Sequence, residues 1–439
     1  MNGKQKRKKK RRLIVILIVL VVLFGGVYFT HRSIYAIPSR YPIAGEAYPD
    51  MKQDSFHKYV SMDIDYKHPE TGQFNGYYLL SPGFYKSRNV TFLLTDGQME
   101  LVSPNCDFDF FEGVLKDCAY VLIGVRGQSP LLFPQAYKNG KVDYPAAINL
   151  YNSDQQIEDI ERVRLDMVKK GLLPDSARIN VFGASGAGVL AQQYISKYGI
   201  HVNRVILEST GAPDISRNSG LNYSPDFKDF NPAAAAILDS VLLTREADKK
   251  FICNVLYQKG RSEHSPRAAQ VTVLNKLNNG GGLWKYKIVP SMNLSILNYI
   301  IKSPEEVAAR QRWFELAGYD LLKYNSSTET NLLYELSSEA VSDFLDYYKS
   351  KRLPAKDFNI NRSDFKGEVL ILKGTEDVVF SDDISKRLQR SYPNARLLFF
   401  KDGHRMQNNK ALYSKIRKAF LEKGWRSEDL MQALEGARP

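Results

Sequence analysis

Three short stretches of the chain carry residues that together could form an acyl-transfer centre. "INVFGASGAGV" (179–189) sets Ser185 among small residues behind an apolar run. "LILKGTEDVV" (370–379) puts Asp377 behind a second run, and "LLFFKDGHRM" (397–406) puts His404 behind a third. A serine hydroxyl is a weak nucleophile until an imidazole takes its proton, and the imidazole needs an acid to hold its ring. A serine on a sharp strand-to-helix turn, followed later by an acid and then a histidine, is the order such a centre requires. Asp377 competes for the acid role with Glu376, Asp382 and Asp383, the last two of which also suit a helix start. Of the six histidines, His31, His57, His68, His201 and His264 lie before the acid, and His404 alone follows it at a strand end.

The Ser185 turn also reads as a phosphate-cradling turn for a dinucleotide. Gly183, Gly186 and Gly188 lie between a strand and a helix, and Glu208 ends the next strand, where a ribose-binding acid would sit. Against this, the spacing is G-x-x-G-x-G, not G-x-G-x-x-G, and at least four candidate strands come earlier in the chain. The nucleophile reading is therefore preferred, with no cofactor. No HExxH or clustered Cys/His spacing occurs, so no metal is expected.

The elements that must position these residues are visible as alternating runs. Strands are expected at 59–64, 76–80, 90–95, 120–125, 179–183, 204–209, 368–374 and 396–400. Several are continuous apolar runs, as strands covered by helices on both faces require, which predicts a mostly parallel central sheet. "SDQQIEDIERVRLDMVKKG" reads as a helix with a Ser153–Gln156 capping box, an inner face of Ile157, Ile160, Val163 and Met167, and a stop at Gly171. Further helices are expected at 381–392 and near 408–423.

Residues 211–365 break the alternation. Start signals such as Asn231-Pro232 and Ser303-Pro304-Glu305-Glu306 introduce helices without a buried strand, which predicts a helical lid inserted into a core of 55–210 and 366–439. Trp284, Trp313 and the lid tyrosines read either as a substrate lining or as core.

The chain has 439 residues, 44% hydrophobic and 25% charged, enough for one large α/β domain with an insertion. Eight of the basic residues behind the net charge of +13 fall in residues 1–12, so the remainder carries only +5 and no nucleic-acid partner is expected. The uncharged run 13–29 follows directly. As a helix it would be about 26 Å long, close to a ~30 Å hydrocarbon core. The basic tail would stay in the cytoplasm and the rest of the chain outside. A cleaved signal ending near Ala36 is the rival reading. Residues 30–54, with Pro38, Pro42 and Pro49, read as a stalk. Three cysteines, Cys106, Cys118 and Cys253, exclude a fully paired framework; Cys106 and Cys118 would either bridge or stay buried thiols.

The motifs "VFGASGAG", "GTEDVV" and "DGH", with weaker support from "VRGQS" (125–129) and "VNRVILEST" (202–210), resemble the α/β-hydrolase family and its proline-iminopeptidase-like branch of serine aminopeptidases. The resemblance covers about residues 75–210 and 366–425. It implies Ser185 as nucleophile, His404 as base, Asp377 as its orienting acid, and backbone N–H groups of Gly186 and Gln98 as the oxyanion hole. The chain departs from the pattern at Ala187, at Asp96-Gly97 and at Gly124. The resulting expectation is a membrane-anchored extracytoplasmic serine hydrolase, a peptidase or aminopeptidase acting on a peptide or small molecule. A carboxylic-ester hydrolase and a non-catalytic binding protein on the same fold are the alternatives. An aminopeptidase would need a lid carboxylate for the substrate amine, and Glu305, Glu306 and Glu315 are candidates.

Overall fold

A computed structural model describes residues 19, 22, 24–37, 48, 51–128 and 132–436. Eight strands form one sheet: β1 (His57–Asp63), β2 (Gln73–Leu80), β3 (Val90–Leu94), β4 (Ala119–Ile123), β5 (Ile179–Ala184), β6 (Val202–Glu208), β7 (Glu368–Glu376) and β8 (Ala395–Gly403). Their order is β1-β2-β4-β3-β5-β6-β7-β8. Only β2 runs against its neighbours; every other pairing is parallel. β3 and β4 are buried at every position and β5 at all but its last, because helices cover both faces of the central sheet. All eight strands coincide with the runs named above.

Helix α1 (Ser153–Lys169) buries Ile157, Ile160, Val163 and Met167, as its periodicity predicts. Its start differs from the expected capping box. Asn152 is the cap, its side chain accepting the Gln155 N–H at 3.0 Å. Ser153 instead turns its hydroxyl inward to the Glu315 carboxylate at 2.8 Å. A buried charge outcompetes a local cap for that hydroxyl. Helix α2 (Gly186–Tyr198) follows β5 directly.

Among the described residues, no strand lies between β6 and β7. The main helices there are α3 (Pro232–Arg245), α4 (Lys249–Ser262), α5 (Pro266–Asn278), α6 (Leu294–Ile301), α7 (Val307–Leu321), α8 (Leu332–Ala340) and α9 (Ser342–Lys351). Asn231 caps α3 as expected. Helix α7 starts at Val307 without a side-chain cap. Ser303 is not its start, and its carbonyl instead accepts from Arg310 Nη1 at 2.7 Å. Helices α10 (Asp382–Ser391) and α11 (Lys410–Lys423) flank β8 in sequence.

Two buried ion pairs tie these layers together. Arg126, just past β4, makes two 2.6 Å bonds to Asp159 of α1 and also donates to the carbonyls of Asp63, Ile64 and Leu150. Glu208, at the end of β6, takes two bonds from Arg417 of α11, at 2.8 and 2.7 Å. Cys106, Cys118 and Cys253 are free thiols.

The tail 1–12 and much of the apolar run 13–29 lie outside the described residues, as do residues 38–47, 49 and 50 of the stalk. Residues 24–34 are helical. No helix among the described residues is long and apolar enough to cross a membrane.

Candidate active site

Ser185 stands at the junction of β5 and α2 with φ 54° and ψ −128°, a backbone conformation that costs a non-glycine residue on the order of 1–3 kcal/mol. The surrounding structure enforces it. The Ser185 N–H donates to Glu208 O at 2.9 Å, and its carbonyl accepts from the Gly188 N–H at 3.0 Å and the Thr210 hydroxyl at 2.7 Å. The turn also needs small residues. A Cβ on Gly183 would lie 2.4 Å from the Ala187 carbonyl oxygen, and one on Gly188 would lie 2.3 Å from Thr210 Oγ1. Ala187 is itself accommodated and buried.

The three residues singled out from the sequence converge. His404 Nε2 is 3.1 Å from Ser185 Oγ, and His404 Nδ1 is 3.0 Å from Asp377 Oδ1. Asp377 lies in the loop after β7 and His404 directly after β8, so neighbouring parallel strands deliver both to the rim where Ser185 emerges. Glu376, Asp382 and Asp383 are not hydrogen-bonded to the imidazole. Both members of the acid–imidazole pair are buried, and the Phe380 ring stands 5.6 Å from the His404 ring.

A fourth residue, Lys373, completes this side. Fully buried on β7, it donates to Asp377 Oδ2 at 2.6 Å and to the Phe380 carbonyl at 2.7 Å. The Val379 N–H donates to Asp377 Oδ1 at 2.8 Å. Burial alone would raise the Asp377 pKa, but the Lys373 ammonium and His404 outweigh it and hold the carboxyl well below the usual carboxylate range. Burial lowers the His404 pKa. Asp377 opposes that shift, and Arg261 and Lys373 add to it, so the ring is kept neutral as a base must be. A charged residue inside the apolar run "LILKG" was the available signal for Lys373.

The opposite side of Ser185 is arranged differently. Gly186 is buried at the start of α2. The Gln98 N–H, the second expected oxyanion donor, donates to Asp96 Oδ1 at 3.0 Å. Helix α7 covers this side: Arg312 Nε donates to the Asp96 carbonyl at 3.0 Å, and Leu316 packs against Gly186.

Of the three carboxylates named as candidates for a substrate amine, Glu315 is buried and held by the Ser153 N–H and hydroxyl, Arg312 and Lys356. Burial would raise its pKa, yet Lys356 and Arg312 bring it down. Glu305 and Glu306 lie just ahead of α7, and burial together with neighbouring Glu305 raises the Glu306 pKa. Glu208, the acid a dinucleotide ribose would need, is committed to Arg417. No cluster of three or more His, Cys, Asp or Glu suited to a metal occurs among the described residues.

No protein-family model and no curated protein matches the sequence. Solved structures similar to it include an esterase from Exiguobacterium antarcticum, at 13% identity and a TM-score of 0.37 over 83% of this chain and 96% of that one. An α/β hydrolase enzyme from a Medee basin deep-sea metagenome library is 16% identical, with a TM-score of 0.38 over 79% of this chain and 92% of that one. The enol-lactonase from Burkholderia xenovorans LB400 is 13% identical, with a TM-score of 0.37 over 82% and 96%.

Proposed function

We propose that the chain is a membrane-anchored serine hydrolase on an α/β-hydrolase scaffold, working through an acyl-enzyme on Ser185. The observation that carries this reading is the continuous hydrogen-bonded line Asp377–His404–Ser185, with the serine held at positive φ. In the first step Ser185 Oγ attacks the substrate carbonyl while its proton passes to His404 Nε2. Asp377 keeps the other ring nitrogen protonated and stabilises the imidazolium. Backbone N–H groups of Gly186 and Gln98 would meet the oxyanion. His404 then protonates the leaving group, and the same ring activates the water that releases the acyl group.

A carboxylic ester is the substrate class this reading takes first. Glu315, a candidate partner for a peptide's free amine, is already held by Ser153, Arg312 and Lys356. The peptidase reading stands second and rests on Glu305 and Glu306. A panel of chromogenic acyl esters and aminoacyl amides tests this. Ester turnover that Ser185→Ala removes is expected; turnover of aminoacyl amides alone would reverse the order, and turnover of neither by folded protein would favour a binding role.

The anchored reading has support in the exposed apolar side chains of the N-terminal helix and of the segment before α6. Phe24, Val27, Tyr28 and Phe29 are exposed, and His31 and Tyr35, further along, hydrogen-bond to Tyr299 of α6 at 2.7 and 2.8 Å. Trp284 and Ile288, shortly before α6, are 69% and 71% exposed, which suits an apolar strip facing a bilayer. Membrane fractionation with protease protection of the full chain tests both anchorage and sidedness. Recovery in the membrane fraction with the α/β part digested from outside is expected, and recovery in the soluble fraction would contradict it.

A further inference from the structure

The carboxyl of Asp96 occupies the space against the start of α2. Gly186 has no side chain, and a Cβ built there would lie 1.9 Å from Asp96 Oδ2, 2.9 Å from Gln98 Nε2 and 2.9 Å from Leu316 Cδ1. Glycine at 186 and the placement of Asp96 are therefore matched: any other residue at 186 would push the carboxyl away. The second oxygen, Oδ1, holds the Gln98 N–H. One of the two donors that a reacting carbonyl would use is thus already bound to an acid of the same chain.

The charged and titratable groups facing Asp96 are Arg312 from α7, Arg261 from α4 and the Tyr223 phenol from the segment before α3. Burial raises the Asp96 pKa, and the Gln98 amide and the two arginines only partly offset it. An ionised carboxylate here would compete for Gln98 and would repel the negative charge that develops on the substrate oxygen. A protonated one accepts more weakly and adds no charge.

Building on the serine-hydrolase reading above, we propose that Asp96 is a positioning residue that gates the oxyanion site, and that acylation of Ser185 runs through the form in which its carboxyl is protonated and the Gln98 N–H released. The proton comes from solvent before substrate binds and returns to solvent afterwards, so the overall hydrolysis is unchanged. The gate acts through Gln98 and leaves His404 free to set the opposite limb of the pH profile.

The test is the second-order rate at which a fluorophosphonate modifies Ser185 in the full chain, followed from mildly acidic to alkaline pH. Wild type is expected to rise as His404 loses its proton and then to fall as Asp96 ionises. Asp96→Asn and Asp96→Ser should lose the alkaline fall and label faster than wild type there, by up to the roughly 10²-fold that one oxyanion donor is worth. Thermal melts by circular dichroism identify which variants are folded, and either one suffices. If wild type shows no alkaline fall, or if a folded variant follows the wild-type profile, the gate is overturned while Ser185 labelling upholds the hydrolase reading. If none of the folded proteins labels at any pH, the hydrolase reading falls and the gate falls with it.

Discussion

On the imidazole side of Ser185 every hydrogen bond of the resting site is made: Lys373 and the Val379 N–H hold Asp377, Asp377 holds His404, and His404 meets the serine. On the other side, the Gln98 N–H is turned to Asp96, and α7 presses Leu316 against Gly186. The first side is built at the ends of two paired parallel strands, β7 and β8, and its groups are buried among apolar neighbours. The second is built from a loop after β3 and a helix of the inserted segment, and under the proposed gate its geometry depends on the charge of Asp96. The contrast teaches that two paired strand ends hold the Asp377–His404–Ser185 line fully hydrogen-bonded, whereas the side completed by a loop and an inserted helix has its Gln98 N–H already taken by Asp96, which is the opening that the proposed gate would use.

Substitutions that separate the two sides sharpen this contrast. Ser185→Ala, common to both, should lower turnover by on the order of 10⁶-fold with an unchanged circular dichroism spectrum. Asp377→Asn should lower kcat by about 10⁴-fold, because the imidazole loses the partner that sets its tautomer. A loss of tenfold or less would mean that the imidazole side is not the prepared one.

Lys373→Met should destabilise the protein by about 3–5 kcal/mol in urea unfolding, since it leaves a buried carboxylate without its cation. It should also move the acid limb of kcat/KM to higher pH. The ammonium disfavours the imidazolium of His404, so its removal raises that pKa. A stability loss with an unmoved limb would reduce Lys373 to a structural part.

In the wild type, the acid limb should lie below the ordinary imidazole value of about 6.5. Burial lowers the His404 pKa, so the neutral base persists below that pH and activity falls only as the pH drops through the lowered value. A limb above 6.5 would contradict the burial argument. The smallest effect is expected at a distance from both sides: Asn152→Ala should cost about 1 kcal/mol through loss of the α1 cap and leave the fluorophosphonate labelling rate unchanged.

Much of this architecture is legible in the sequence. The central strands stand out as continuous apolar runs because both faces of the sheet are covered there, the edge strands as mixed runs with exposed positions, and the chain order of Ser185, Asp377 and His404 follows from strand ends that share one rim. What escaped was long-range pairing of side chains. The Ser153 hydroxyl looked like a cap, since nothing local announces Glu315 on a helix over a hundred residues later. Arg126 finds its acid on α1, in Asp159, with Gly124 standing at the position where the α/β-hydrolase pattern that the sequence resembles places one. Asp96 was visible as a departure from that pattern, but its contact with Gly186 and the Gln98 amide is set by the meeting of a loop and a helix start, which no local periodicity encodes.

The most direct measurement is to react the full-length protein with a fluorophosphonate near neutral pH and map the modified residue by peptide mass spectrometry. Stoichiometric phosphonylation of Ser185, absent from His404→Ala, is the result expected of a serine activated by that imidazole. A folded protein left unmodified at Ser185, or labelled equally without His404, would contradict it.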